Sequence, residues 1–337
     1  MRVPGRRLRR IVRRLRNCFT DRGVILMYHR IAELDCDPWG LAVSPSHFAE
    51  HLQILTRLSP IPLPDLVQDL GAGIAPHRPI VVTFDDGYAD NVETAQPLLE
   101  QYGIPATVFL ATGAIGGERE FWWDELQRVL LEPHDLPREL DLRSYRRELG
   151  GDATNFDSSD LRHRSWRAWE EPPTTRHAIY RELWHLLYRL PHADKCSVLD
   201  SLMAWAGLRH GVRQTHRLVS VKEMTALAAS SLIEVGAHTV THPALPLLGA
   251  AAQADEIQHS KHFLEERLDR RISCFSYPHG DHQPGTVSAV RAAGFTSACG
   301  TAAGTVSAQS DCLTLPRFQV LNWSGEEFRL HLEAWQD

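Results

Sequence analysis

Short apolar segments alternate with longer amphipathic segments along most of the chain. Continuous apolar runs are typical of strands that are buried on both faces of a sheet. The runs predicted as strands comprise residues 24–29, 79–84, 104–111, 233–237, 272–277 and 295–299. Between them, apolar residues recur at helical spacing. These segments predict helices at 47–58, 90–102, 221–230, 250–269 and 284–293.

The order of these elements predicts the fold class. Strands that alternate with helices along a chain pair in parallel, with the helices as crossovers. The sequence therefore predicts an α/β fold, with a distorted or incomplete (β/α) barrel as the favoured architecture. A doubly wound open sheet is the alternative that the same alternation allows.

The alternation is interrupted between about residues 117 and 215. This stretch is rich in Arg, Glu, Trp and Leu and holds six of the nine tryptophans. Its pattern is mostly helical, which predicts a helical insertion inside one domain spanning residues 23–337. We find no internal repeat and no low-complexity segment.

The charge of the chain is divided unevenly. The 337 residues include 36 Lys and Arg and 42 Asp and Glu, for a net charge of -6. Residues 1–22 hold nine arginines and one aspartate, which leaves the remainder strongly acidic. An acidic body argues against general nucleic-acid binding, because phosphate groups must be met by cations. The six cysteines form no C-x-x-C pair, which argues against a cysteine-based zinc site.

The basic N-terminal segment has a second feature. Residues 6–19 carry apolar side chains at helical spacing, with arginines on the other face. Such a helix predicts peripheral contact with an anionic membrane; a solvated tail and a helix docked on the acidic body are the alternatives. No apolar signal-peptide core and no bilayer-length apolar run follow. These features predict a cytoplasmic protein that contacts the inner face of the membrane.

Two polar motifs directly follow predicted strands. Thr-Phe-Asp-Asp-Gly places Asp85 and Asp86 after one strand, and His-Thr-Val-Thr-His places His238 and His242 after another. The carboxyl ends of barrel strands meet at one face. If the second segment turns like a helix, both imidazoles lie on one side. One carboxylate with two imidazoles suits a catalytic metal, and the other carboxylate remains a general base. Helix capping by the acids and a chance histidine pair are the alternatives.

Together these motifs resemble those of the polysaccharide deacetylase family, the NodB-homology fold of carbohydrate esterase family 4. A third segment, Phe-Ser-Tyr-Pro-His-Gly at 275–280, is similar to that family's Phe-x-Tyr-Pro-x-Gly motif. The resemblance covers about 80–119 and 220–320. It implies a distorted (β/α) barrel and a metal-dependent hydrolase that removes an acetyl or formyl group from an amino sugar.

The resemblance also implies roles for individual residues. Asp85 corresponds to the general base, Tyr277 to a backbone N–H donor for the oxyanion, and Pro278 to a residue that shapes the groove. We interpret His279 as a solvated loop residue; the alternative is that it lines the groove. The metal is zinc or another divalent ion such as Co²⁺, Ni²⁺ or Mn²⁺, and its implied ligands are Asp86, His238 and His242.

The chain departs from the family pattern in two places. The arginine that orients the base in many members is replaced by Cys274, and we predict that Arg317, near a later strand end, takes over. The C-terminal Leu-x-His motif matches only at His331 in a predicted terminal helix, which we interpret as coincidence. We therefore predict that His29, in a Tyr-His segment like that of biofilm glycan deacetylases, is the general acid. A histidine held by backbone is the alternative.

The substrate expectation follows from the same resemblance. Trp122 and Trp123 open the insertion and predict contact with sugar rings, although tryptophans at helical spacing often pack in a core. The expected substrate is a polysaccharide or a lipid-linked glycan precursor, as in exopolysaccharide biosynthesis. The alternatives are an amidase for a small non-sugar substrate and a non-catalytic glycan-binding protein. The intact base and metal ligands argue against the latter.

Overall fold

The computed structural model describes residues 22–72, 78–142, 145–154 and 164–336. Seven strands of this part of the chain form one parallel sheet in the order β10-β9-β8-β5-β4-β1-β11. The strands are β1 (Val24–Tyr28), β2 (Arg30–Ile31), β3 (Ala42–Val43), β4 (Ile80–Phe84), β5 (Ala106–Leu110), β6 (Glu139–Leu142), β7 (Tyr145–Glu148), β8 (Ile233–Ala237), β9 (Cys274–Ser276), β10 (Ser297–Cys299) and β11 (Phe318–Gln319).

Helices connect the strands and form most of the insertion. Each helix predicted from the apolar spacing is present, with its ends shifted by a few residues. A π-helical turn, Asn91–Ala95, precedes the third helix. The α-helices are Pro45–Thr56, Leu63–Gly71, Gln96–Tyr102, Trp122–Leu131, Gly151–Thr154, Thr175–Tyr188, His192–Trp205, Val221–Ala229, Ala250–Leu268, Pro284–Ala292 and Gly325–Gln336.

One segment joins the two ends of the sheet. The N–H of Leu315 donates to the Ala298 carbonyl in β10, and the Gly300 N–H donates to the Leu315 carbonyl, each at 2.9 Å. Three residues later the same segment becomes β11 and pairs with β1. The strand order also lacks the reversal that defines a doubly wound sheet. The sheet is therefore curled into a distorted barrel, and the open-sheet alternative is wrong.

The insertion has its own hydrophobic core. Four of the helices lie in it, together with an antiparallel hairpin of β6 and β7 that the sequence did not predict. Trp122, Trp123 and Trp166 are buried in this core, apart from the main cluster between the sheet and its helices. None of the helices in the described part of the chain combines the length with the apolar character that a bilayer span requires. The predicted basic segment lies outside the described residues, except for Arg22.

His51 is a buried histidine in the helix Pro45–Thr56. Its Nε2 lies 2.8 Å from the Trp323 carbonyl and its Nδ1 lies 3.2 Å from the Tyr28 hydroxyl. A carbonyl only accepts, so Nε2 carries the hydrogen and Nδ1 accepts from Tyr28. The imidazole also stacks on the ring of Phe328, with the two ring centroids 4.2 Å apart. Burial lowers the pKa of His51 to about 4.

This histidine predicts a loss of stability in acid. Between about pH 6.5 and 4 the unfolded chain binds a proton at His51 that the folded chain does not. The free energy of unfolding should therefore fall by about 2–3 kcal/mol from this group as the pH drops through that window. Urea unfolding of His51→Gln at pH 7 and pH 4.5 should show a smaller pH dependence than wild type. His259→Gln, which changes an exposed histidine, should leave this pH dependence unaltered. An equal change in the free energy of unfolding between the two pH values in all three proteins would contradict the role of His51.

Candidate active site

Three potential metal ligands meet at the carboxyl ends of β4 and β8. Asp86 follows β4 by two residues and His238 directly follows β8. The two Nε2 atoms of His238 and His242 are 3.1 Å apart, and the Asp86 Oδ1 atom lies 3.5 and 3.3 Å from them. One donor atom from each residue falls within 4.8 Å of the others, and all three side chains are buried. The strand ends thus bring the predicted ligands together.

The orientation of His238 suits the binding of a cation between these groups. Its Nδ1 lies 2.8 Å from the Ser276 carbonyl, so Nδ1 carries the hydrogen and Nε2 presents a lone pair. That lone pair faces the Asp86 carboxylate and the second imidazole, an arrangement of acceptors that a positive charge stabilises. Two imidazoles and one carboxylate form a donor set suited to Zn²⁺ and related divalent ions, with positions left open. The residues therefore fit a divalent metal.

The ligands lie on strained backbone. Asp86, Thr239 and His242 have φ values of 76°, 66° and 53°, a region that non-glycine residues seldom adopt. His238 and His242 therefore converge through a tight turn, and the helical turn considered from their spacing is not present. Glu256 holds this turn, because its carboxylate accepts from the N–H groups of Val240 and Thr241 at 2.8 Å each. The sequence motifs gave no indication of this supporting role.

Asp85 is bound by Arg317 on both of its oxygens. Arg317 Nη1 lies 2.8 Å from Oδ1 and Nη2 lies 2.6 Å from Oδ2, and the Ser276 hydroxyl donates to Oδ2 at 3.1 Å. Burial raises the pKa of Asp85, but the attraction of the Arg317 guanidinium and of His238 outweighs it, so the pKa lies below its ordinary value. Arg317 thus makes the contact expected of the missing arginine, while Cys274 is buried in β9. Arg317 lies in the segment that joins the two ends of the sheet.

A cavity of about 270 Å³ opens onto these residues. Asp85, the three ligands and His29 all line it, so the predicted base, ligands and general acid share one space. The imidazole of His29 makes no hydrogen bond to any residue that the structure describes. Three indoles also line this cavity, which we call the catalytic cavity; they belong to Trp39, Trp123 and Trp184.

The predictions for Tyr277 and Pro278 need correction. The N–H of Tyr277 donates to the Cys299 carbonyl at 3.0 Å, and its hydroxyl donates to the Leu313 carbonyl at 2.9 Å. The Tyr277 N–H is thus occupied by a carbonyl of β10, and its predicted role as oxyanion donor is wrong. Pro278 is buried and does not line the catalytic cavity. His279, interpreted from the sequence as a solvated residue, lines it instead, with φ 58° and an N–H that donates to no described residue.

The tryptophans divide between two environments. Trp123 lines the catalytic cavity, and its Nε1 donates at 2.9 Å to the Tyr88 hydroxyl, which donates at 2.7 Å to Asp124. Trp122 faces a different cavity, which overturns its predicted place in the same subsite. Trp39 and Trp184, with ring centroids 4.4 Å apart, supply the remaining indoles. Trp39 lies in a loop without periodicity, so no sequence pattern indicates its place in the cavity.

A model of a known protein family matches the segments that carry these residues. The polysaccharide deacetylase model matches residues 72–137 and 209–298, on both sides of most of the insertion. YxkH of Bacillus subtilis (strain 168), assigned to the polysaccharide deacetylases, is 31% identical over 111 residues, which cover 31% of this chain and 37% of that relative.

Solved structures share the fold at low identity. The deacetylase PplD of Streptococcus pyogenes, solved with acetate, is 18% identical with a TM-score of 0.56 and covers 93% of this chain and 99% of its own. IcaB from Ammonifex degensii is 18% identical with a TM-score of 0.58 and covers 94% and 97%. The barrel is thus shared, and the matched segments contain both the Asp-Asp and the His-x-x-x-His motifs. In motif, fold and sequence match, the chain is thus similar to the polysaccharide deacetylase family.

Proposed function

We propose that the protein is a metal-dependent hydrolase that removes an N-acyl group, acetyl or formyl, from an amino sugar in a polysaccharide or a lipid-linked glycan precursor. The observation that carries this proposal is the pairing of Asp85 with Arg317 directly beside the Asp86, His238 and His242 cluster. The similarity to polysaccharide deacetylases supports a glycan substrate. The three indoles of the catalytic cavity also support it, since sugar rings present apolar C–H faces.

Asp86, His238 and His242 would hold the metal, which we propose is Zn²⁺, with Co²⁺, Ni²⁺ or Mn²⁺ as substitutes. A divalent metal in this position lowers the pKa of a coordinated water and polarises a carbonyl oxygen. The hydrogen bond from His238 Nδ1 to the Ser276 carbonyl fixes the tautomer that such binding requires.

Asp85 would act as the general base. A carboxylate has about four acceptor positions, and Arg317 and Ser276 occupy three of them. The remaining position, on Oδ1, is available to accept the proton of an attacking water. Because Arg317 keeps the pKa of Asp85 low, the base is ionised at neutral pH.

Two further groups of the catalytic cavity are positioned to act on the leaving amine and on the oxyanion. His29 lines the catalytic cavity with its imidazole unpartnered among the described residues, so it would protonate the leaving amine. The unused N–H of His279 replaces that of Tyr277 as the proposed donor to the oxyanion. Both groups lie on the wall that surrounds the metal ligands.

The test compares acyl release before and after metal removal. The full chain is treated with a chelator, repleted separately with Zn²⁺, Co²⁺, Ni²⁺ or Mn²⁺, and assayed on N-acetylated and N-formylated amino-sugar oligomers. We expect acetate or formate release that disappears with the metal and returns with it. Hydrolysis confined to small non-sugar amides would favour the amidase alternative. Oligomer binding without hydrolysis under every metal would favour a glycan-binding protein.

A further inference from the structure

A second cavity of about 200 Å³ lies behind the wall of the catalytic cavity. Phe121 and Trp122 line it from the insertion, and Val240 and Thr241 line it from the turn between the two histidine ligands. The next residue of the insertion, Trp123, lines the catalytic cavity. The two cavities therefore share two stretches of wall. We call the second one the insertion cavity.

The insertion cavity contains a buried lysine. Lys195, in the helix His192–Trp205, is only 2% exposed and lines this cavity. Its ammonium lies 5.0 Å from the ring centroid of Trp122 and forms no hydrogen bond or ion pair within the described ranges. A buried charge is ordinarily paired, because desolvation disfavours it. Burial accordingly lowers the pKa of Lys195 to about 8.

A second donor on the same wall also lacks an acceptor. The indole Nε1 of Trp122 is buried and has no hydrogen-bond partner among the described residues. Buried donors are nearly always satisfied in folded proteins. Two donors without an acceptor among the described residues thus lie on touching side chains of this wall.

Glu118, which also lines the insertion cavity, is exposed to solvent, whereas the buried carboxylates of Glu120 and Glu125 are already engaged. Glu125 receives two hydrogen bonds from Arg119, at 2.9 and 2.6 Å. Glu120 pairs with Arg213 at 2.6 Å. Glu256, which lies close enough to influence Lys195, accepts the N–H groups of the turn between the histidine ligands. None of these acids forms an ion pair or a hydrogen bond with Lys195, so the donor positions of the buried ammonium remain available to an anion.

We propose that the insertion cavity binds an anionic group, a carboxylate or a phosphate, which pairs with the Lys195 ammonium beside the Trp122 indole. Charge-assisted hydrogen bonds are among the stronger ones, and the low exposure of Lys195 strengthens them further. The bound group would contact the turn of Val240 and Thr241, and so would lie one residue layer from the metal ligands. Its source is a free acid or phosphate, or an acidic substituent of a bound glycan.

Equilibrium binding tests this site independently of hydrolysis. Calorimetry would measure the binding of acetate, inorganic phosphate and a uronic-acid-containing oligosaccharide to the full chain, with chloride at matched ionic strength as the blank. We expect at least one anion to bind, and Lys195→Met to weaken it roughly tenfold to a hundredfold. Lys222→Met removes the same charge from an exposed position and should bind like wild type. The oligosaccharide binding alone would indicate a glycan substituent as the source.

Other outcomes would overturn the proposal. It fails if no anion binds wild type more tightly than chloride, or if Lys195→Met binds the anion as tightly as wild type. Methionine has a similar length and removes a buried charge, so the variant should fold. Lys195→Gln provides a second variant, which should lose anion binding to the same extent as Lys195→Met. Acetate bound at the metal would remain in both variants and is thereby separated from the insertion cavity.

Discussion

Replacement of Arg317 by methionine is expected to destabilise the fold by about 3–5 kcal/mol and to abolish most activity. Arg317 is fully buried and donates five hydrogen bonds, two of them to Asp85. Without the guanidinium, the Asp85 carboxylate stays buried with no counter-charge, which is the costly half of a broken ion pair. The Gly300 carbonyl, directly after β10, also loses its donor.

Two further variants separate charge from geometry. Arg317→Lys keeps the positive charge but not the planar fork, so its stability should fall between those of wild type and Arg317→Met. The double variant Arg317→Met/Asp85→Asn removes both charges and should be more stable than Arg317→Met alone. Urea unfolding of the four proteins measures these differences. A single Arg317→Met variant as stable as wild type would contradict the buried-pair account.

The position of Arg317 illustrates why sequence could predict part of this site. Parallel strands all end at one face, so residues just after a strand end are brought together whatever their separation in the chain. That rule places Asp85, His238 and His29 in one cavity. It also allows Arg317, in the segment that joins the two ends of the sheet, to make the contact of the arginine that many family members have at the position of Cys274. The element order thus carries real three-dimensional information.

The wrong predictions concern residues whose role depends on a contact that the sequence motifs do not specify. The family resemblance predicts a catalytic N–H at Tyr277, but this N–H donates to the Cys299 carbonyl of β10. The register of two parallel strands cannot be derived from their composition. Trp122 and Trp123 are adjacent, and successive residues of a helix point in different directions. One indole therefore reaches the catalytic cavity and the other the insertion cavity. Only the packing of the insertion determines which.

The insertion links features that the sequence presents separately. Its first helix supplies Trp123, which a hydrogen bond to Tyr88 fixes beside the metal ligands. A later helix supplies Trp184 to the same cavity and Lys195 comes from the helix after it. These contacts join residues far apart in the chain, so no local pattern reveals them. The insertion therefore shapes the catalytic cavity as well as covering it.

Replacement of Asp85 by asparagine is expected to lower kcat by roughly 10²–10⁴-fold, because the amide cannot accept the proton of the attacking water. Metal content should remain that of wild type, since Asp86, His238 and His242 are unchanged. Elemental analysis and acyl-release kinetics on the same preparation measure both quantities. Activity within a few-fold of wild type would refute the role of Asp85 as base.

The same variant must be distinguished from a merely structural lesion. An asparagine amide group turned toward Arg317 would oppose donor to donor, so Asp85→Asn should also lose stability. The double variant Arg317→Met/Asp85→Asn removes that conflict and supplies the control. If Asp85 served only to neutralise Arg317, the double variant would recover activity together with stability. We expect it to recover stability alone and to remain inactive with its metal bound, because no carboxylate is left to take the proton.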